Sequence, residues 1–153
     1  MGISSDGQLS YGIPFDEDFV FPWSEYVDGE IYEWWEVENG YTPLYHVFSG
    51  GEYAPGFTKD DPRVYEEYDN NNRWRKENPI PIELVMYCSY DYPTYLIAAP
   101  EYNYSVSRGY ASKIRLPSHE EIAKYRKTIV DFCNKWGIEM PCEPDFYLTS
   151  LYG

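Results

Sequence analysis

The chain has 153 residues, about the length of one ordinary domain, and an apolar fraction of 43%, enough for a packed core. With 26 acids against 12 bases it carries a net charge of −14, which disfavours direct binding to nucleic acid or anionic membrane and favours a basic protein as partner. Three cysteines without C-x-x-C spacing do not suggest a disulfide framework. The first residues lack the basic and apolar regions of a secretory signal, and no apolar run reaches membrane-spanning length. We therefore read a single domain over 1–153.

Ser4-Ser5-Asp6-Gly7 marks a turn, and the alternation of Leu9, Tyr11 and Ile13 predicts a strand from Gln8 to Ile13. The stretch Met1-Gly2-Ile3-Ser4-Ser5-Asp6-Gly7, then Tyr11-Gly12, then Phe21-Pro22-Trp23 resembles the opening of small acidic accessory proteins encoded by tailed bacteriophages. The resemblance covers about the first quarter of the chain. It implies a phage product acting in the bacterial cytoplasm, and it carries over no catalytic residues.

Residues 16–24 contain Pro22 and no clear period, so they read as irregular chain. Asp28 suits an N-cap and Gly40 a C′ residue, predicting a short helix over 29–39. On that helix Trp34 and Trp35 would face the core, with Glu30, Glu33 and Glu36 on the opposite arc. Tyr41 to Phe48 is a possible second strand, with Leu44, His46 and Phe48 on one face. Asp61 as N-cap and Pro62 at N1 open another helix, with Val64, Tyr65 and Tyr68 as its apolar stripe, ending near Asn70-Asn71-Asn72. Ile80 to Ala99 carries the best sheet signal: Leu84, Met86 and Cys88 alternate with Val85 and Tyr87, Asp91-Tyr92-Pro93 turns, and Thr94 to Ala98 returns as a hairpin. Gly109 to Leu116 suggests a third strand. Ser118 and Glu121 form a capping box for a helix to about Trp136, stopped by Gly137, with Tyr125, Ile129, Phe132 and Cys133 on one face. Phe146 to Tyr152 closes the chain as a strand. The predicted class is α+β: a mostly antiparallel sheet packed by one long C-terminal helix and two shorter helices.

Charge is concentrated at the front. Residues 1–61 hold 13 acids and one base, Lys59, a net −12. Within Phe15 to Glu38 nine carboxylates interleave with eight aromatic rings, without Lys or Arg. Acids set on a rigid body can imitate the phosphates of nucleic acid, and neighbouring rings supply anchors. The candidate partner-binding residues are accordingly Asp16, Glu17, Asp18, Trp23, Glu25, Asp28, Glu30, Glu33 and Glu36. The expected partner is a basic host protein, engaged by a nucleic-acid mimic or anti-defence inhibitor. A solvated acidic surface that only keeps the chain soluble is the plainer reading of the same residues.

Other chemistry is less well supported. His119-Glu120-Glu121 lacks the i, i+4 partner of a helical metal site and reads as a capping turn. Asp16-Glu17-Asp18 lacks calcium-loop spacing. Cys88 and Cys133 read as buried small hydrophobes and Cys142 as the exposed thiol. Arg73-Trp74-Arg75-Lys76 reads as a helix C-terminal cluster or an intramolecular partner for acids. No cofactor, metal or catalytic group is expected. The alternative is a small-ligand binder or an enzyme acting on a nucleotide or sugar, with stacked aromatics and either Ser105, Ser107 and Arg108 or a carboxylate pair orienting the ligand.

Overall fold

Leu9, Tyr11 and Ile13 do share one face of a strand, and that strand organises the sheet. The computed structural model describes residues 5–26, 29–42, 48–49 and 52–152. In chain order the elements are β1 (Ser5–Pro14), α1 (Ile31–Glu38), β2 (Phe48–Ser49), β3 (Glu52–Tyr53), α2 (Pro62–Glu77), β4 (Glu83–Ser89), β5 (Pro93–Val106), α3 (His119–Lys135) and β6 (Asp145–Tyr152). The chain falls into two compact units, one formed by Met1–Val20 with Pro81–Gly153, the other by Phe21–Ile80.

In the first unit β1, β5, β4 and β6 close into a four-stranded barrel, in that order. β1 lies between β5 and β6 and pairs antiparallel with both. β4 and β5 form the predicted antiparallel hairpin, with Cys88 opposite Pro93. The last pairing, Cys88 with Leu151 and Ser89 with Tyr152, is parallel. The α+β class holds, but the sheet is mixed and closed rather than mostly antiparallel. Alternating hydrophobicity identifies a strand without identifying its partner, and this closing pair joins segments some sixty residues apart in sequence.

One contact shapes the barrel. At Gly12 a Cβ would lie 2.1 Å from the carbonyl oxygen of Ile97 and 2.6 Å from a Leu96 methyl carbon, so only glycine permits the strands to approach this closely. Just before it the register shifts: Ser10 faces Asn103, yet Gly12 faces Ala98. The extra β5 residues form an irregularity of the bulge type, and the buried Ser10 hydroxyl donates to Asn103 Oδ1 at 2.8 Å beside it. Tyr102, within the bulged stretch, meets Tyr125 of α3 at 6.1 Å and Phe146 of β6 at 5.3 Å between ring centroids. Tyr11 joins the same aromatic cluster. On the other face Val85, Leu96 and Ala98 pack with Tyr87 and Tyr147.

α3 begins as predicted. The Ser118 hydroxyl accepts from Glu121 N, the Glu121 carboxylate accepts from Ser118 N, and Arg115 donates two hydrogen bonds to the same carboxylate. Tyr125, Ile129, Phe132 and Cys133 are buried along its inner face. The third strand expected over Gly109 to Leu116 is absent. Residues 111–118 have no regular structure, and β5 instead continues to Val106.

The second unit holds α1, α2 and the β2–β3 ribbon. Phe21 stacks on Trp23 at 4.7 Å, Trp23 meets Trp34 at 5.2 Å, and the Trp35 indole donates to the Asn78 carbonyl at 2.9 Å. α1 starts at Ile31, with Glu30 as its N-cap accepting from Tyr32 N. The expected cap Asp28 lies outside the described residues, as do Leu44 and His46 of the expected second strand. Gly40 follows the C-cap with φ +76°, the left-handed conformation expected of C′. α2 does not end at its three asparagines. It runs to Glu77 and is nearly as long as α3, because Asn71 is buried against α1, while Tyr65 of its expected apolar stripe is exposed.

Two outcomes test this account. Gly12→Ala should cost at least about 3 kcal/mol, because a clash with backbone cannot be relieved by rotating a side chain; urea unfolding measures it. Glu121 is held down to about 2 by the Arg115 guanidinium, then by the Ser118 N–H. A carboxylate depressed on folding stabilises above its unfolded value and loses that contribution as pH falls towards the folded one. The Tm difference between wild type and Glu121→Gln should therefore be full near about pH 6 and close as the pH approaches about 2.

Candidate functional site

The β1–β5 ladder ends with Pro14 opposite Leu96. The chain beyond it keeps the same course for one more residue, the Phe15 N–H donating to the Tyr95 carbonyl at 3.0 Å. Phe15 is buried, and its ring packs on Phe19 at 4.6 Å. Phe19 N donates to the Asp16 carbonyl, closing a turn over 16–19. Two apolar rings thus hold inward a loop whose three acids, Asp16, Glu17 and Asp18, all point into solvent.

Antiparallel pairing brings this loop beside the hairpin between β4 and β5. There the Tyr92 N–H donates to the Ser89 hydroxyl at 3.1 Å, fixing the turn. Cys88, just before it, has φ +76°, strain that a non-glycine residue accepts at a cost of roughly 1 kcal/mol or more. Cys88 is consequently exposed at the hairpin rather than buried on a central strand as expected. Between loop and hairpin lies a cleft of about 480 Å³, lined by Glu17, Asp18, Asp91, Tyr92, Pro93 and Tyr95. Burial pushes the Tyr87 hydroxyl above its usual range, with a further contribution from Cys88 and Asp16. Three carboxylates and two phenol rings therefore share one concave surface. It offers hydrogen-bond acceptors and negative potential to a cationic side chain, with rings on which its aliphatic stem or guanidinium can lie.

Asp91 and Tyr92 read in sequence only as a turn. The signal that could have found them is the register of β1 on β5, which places residues after Pro14 next to residues before Leu96.

The candidates from the second unit fare differently. Glu25 is exposed, and Glu30 and Glu33 are half-buried. Asp28 lies outside the described residues. Trp23 is turned inward: with 2% exposure it sits in the aromatic stack between Phe21 and Trp34. Glu36 is also excluded from any outward surface. It is fully buried, and its Oε1 accepts from Arg75 Nε at 2.6 Å and from Asn71 Nδ2 at 2.5 Å. Helical spacing placed Glu36 opposite the tryptophans, but a second helix covers that side. Asn71 and Arg75, four residues apart on α2, reach it together. The Arg75 guanidinium also lies over the Tyr32 ring at 5.0 Å. The basic cluster 73–76 thus does supply an intramolecular partner for an acid.

The residues of the alternative reading are not gathered. Ser105 lines a cleft of about 290 Å³, but Ser107 and Arg108 do not. Among the described residues no group of three or more His, Cys, Asp or Glu side chains is placed to hold a metal ion, and no helix is long and apolar enough to cross a membrane. Cys133 is buried and its thiol is pushed up to about 11 by desolvation. Cys142 is exposed, its sulfur 3.6 Å from the Tyr147 hydroxyl.

Removing one partner of a buried pair leaves an uncompensated charge, so Arg75→Ala should lose about 3–5 kcal/mol. The double replacement Glu36→Leu with Arg75→Met should lose far less, because neither charge is then stranded. Denaturation followed by tryptophan fluorescence reads this directly, since four of the five tryptophans lie between residues 21 and 80. In comparisons with known proteins, no family model, curated protein or solved structure matches this chain.

Proposed function

We propose that the protein is a non-enzymatic binder that engages a basic protein through the cleft formed by Glu17, Asp18, Asp91, Tyr92 and Tyr95. The observation that carries this reading is that two acidic segments distant in sequence converge beside the exposed Tyr92 and the half-buried Tyr95, with no basic residue in the lining. Negative side chains on a rigid loop and hairpin match the chemistry of a phosphate-binding groove, whose Lys and Arg they would neutralise. The resemblance of the N-terminal quarter to small acidic phage proteins makes a nucleic-acid-binding host protein, such as a defence nuclease, the fitting partner, met in the bacterial cytoplasm. Electrostatic steering then sets the encounter rate, and Tyr92 and Tyr95 provide apolar contact that charge alone lacks.

The carboxylates contribute by position more than by number. Over a Debye length of about 8 Å at physiological salt, a distant acid is screened from a contact. The cleft acids should therefore matter more than others of the chain.

Reversal of Glu17, Asp18 and Asp91 to Lys should reduce capture of basic host proteins from bacterial lysate at least about tenfold. Capture by the wild type should weaken with salt and be displaced by duplex DNA, as competition for one basic groove requires. Undiminished capture by the reversed variant, or capture indifferent to DNA, would sink the reading.

A further inference from the structure

The face of β1 that carries Tyr11 is covered there by α3, with Tyr11 and Tyr125 at 6.1 Å between ring centroids. Two residues earlier Leu9 lies on the same face. It stands opposite Tyr104 of β5 and Leu148 of β6, and Leu148 is 81% exposed. Next along the strand Gly7 stands opposite Val106. These residues and the segment 110–114 line a cleft of about 290 Å³. It lies at the far end of the β1–β5 ladder from the acidic loop and shares no residue with the cleft there.

Gly7 forms the floor of this cleft, and the backbone does not require glycine there. Five described glycines have positive φ, and Gly12 sits against the Ile97 carbonyl. Gly7 does neither. A Cβ at Gly7 would meet only Val106, at 3.4 Å from its Cγ1 and 4.0 Å from its carbonyl oxygen, which is ordinary contact. Glycine inside a strand weakens it, and it is found where a ligand comes close to the backbone. Here the missing side chain leaves open a cradle that a larger residue would fill.

The walls set the chemistry of the occupant. None of the eleven lining residues is Asp, Glu, Lys, Arg or His, in a chain of which 25% is charged. A charged group entering would lose hydration and gain no counter-charge. Leu9, Ile114 and Leu148 offer aliphatic contact, and the rings of Tyr104 and Tyr110 offer an edge or a face to another ring. Ser105 and Ser112 add the few polar atoms that orient a ligand in an apolar site. The volume falls at the small end of ligand pockets, about 300 Å³, which suits one or two rings rather than a peptide segment.

We propose that this cleft binds a small neutral aromatic molecule of one or two rings, laid on the strand backbone at Gly7 between Leu9, Tyr104, Ile114 and Leu148. Binding here is independent of the acidic cleft, so either site can fail without the other.

Indole, neutral and of two rings, is the probe, titrated into the ¹⁵N-labelled protein and followed by amide shifts. It should bind with a dissociation constant of about 1 mM or tighter, ordinary for so small a ligand. The shifts should gather at residues 7–9, 104–106, 110–114 and 148 and spare 16–18 and 91–95. Indole-3-carboxylate, of similar shape but charged, should bind at least about tenfold more weakly. Gly7→Val should weaken indole binding at least about tenfold while Tm holds or rises, since valine favours a strand more than glycine does. Leu148→Ser, at an exposed side chain, should weaken binding with the fold intact, and it decides the matter should Gly7→Val fail to fold. Shifts that are absent or scattered at about 10 mM indole overturn the proposal, since binding that weak is nonspecific. So does a carboxylate that binds as well as indole, or undiminished binding in a folded Gly7→Val or in Leu148→Ser.

Discussion

The missing side chain at Gly12 is the constraint on which the first unit depends. A methyl group there would occupy the same space as the Ile97 carbonyl. Without it, β1 approaches β5 closely on one side while pairing with β6 along its length on the other. The register shift beside Gly12 then has a use. The surplus residues of β5 carry Tyr102 into the aromatic cluster with Tyr11, Tyr125 and Phe146, which joins α3 to the sheet. A single close approach thus sets the strand pairing and, through the bulge, the helix contact.

The second unit is organised by a different kind of interaction. Glu36 is a buried charge, and burial is tolerable only because Arg75 and Asn71 converge on it. Two residues one helical turn apart on α2 fix the facing of α1, and the tryptophans on the other side of α1 complete the packing. The ionic contact links the two helices, and the stacked rings of Phe21, Trp23 and Trp34 are buried with it.

Negative charge in this chain therefore divides by role. Glu36 and Glu121 hold structure, one in an interior pair and the other at a helix start. Asp16, Glu17 and Asp18 do neither. They are carried outward on a loop whose rings, Phe15 and Phe19, are turned in. Of these, Glu17 and Asp18 share a concave surface with Asp91 and the exposed Tyr92, and they form the part of the charge best suited to a partner.

Much of the local structure was legible in the sequence, since it rests on interactions between near neighbours. The capping box at Ser118, the N-cap Asp61 with Pro62, the left-handed Gly40 and Gly137, the β4–β5 hairpin and the apolar face of α3 all follow from residues within a few positions of each other. The acidic character of 16–18 and the inward direction of Trp34 and Trp35 were legible for the same reason. Whatever required two distant segments was decided only by the tertiary structure. Periodicity placed Glu36 outside, because it cannot see Arg75 thirty-nine residues away. It extended α2 no further than its asparagines, because Asn71 earns its helical place from a contact with α1. It left Cys88 buried and Asp91 a mere turn, because the closing pair with Leu151 and the course of the chain beyond Pro14 depend on strand partners. The sequence by itself determined which segments coil, extend and carry charge; the tertiary structure decided which charges meet a counter-ion and which face solvent, since that depends on what packs against each face.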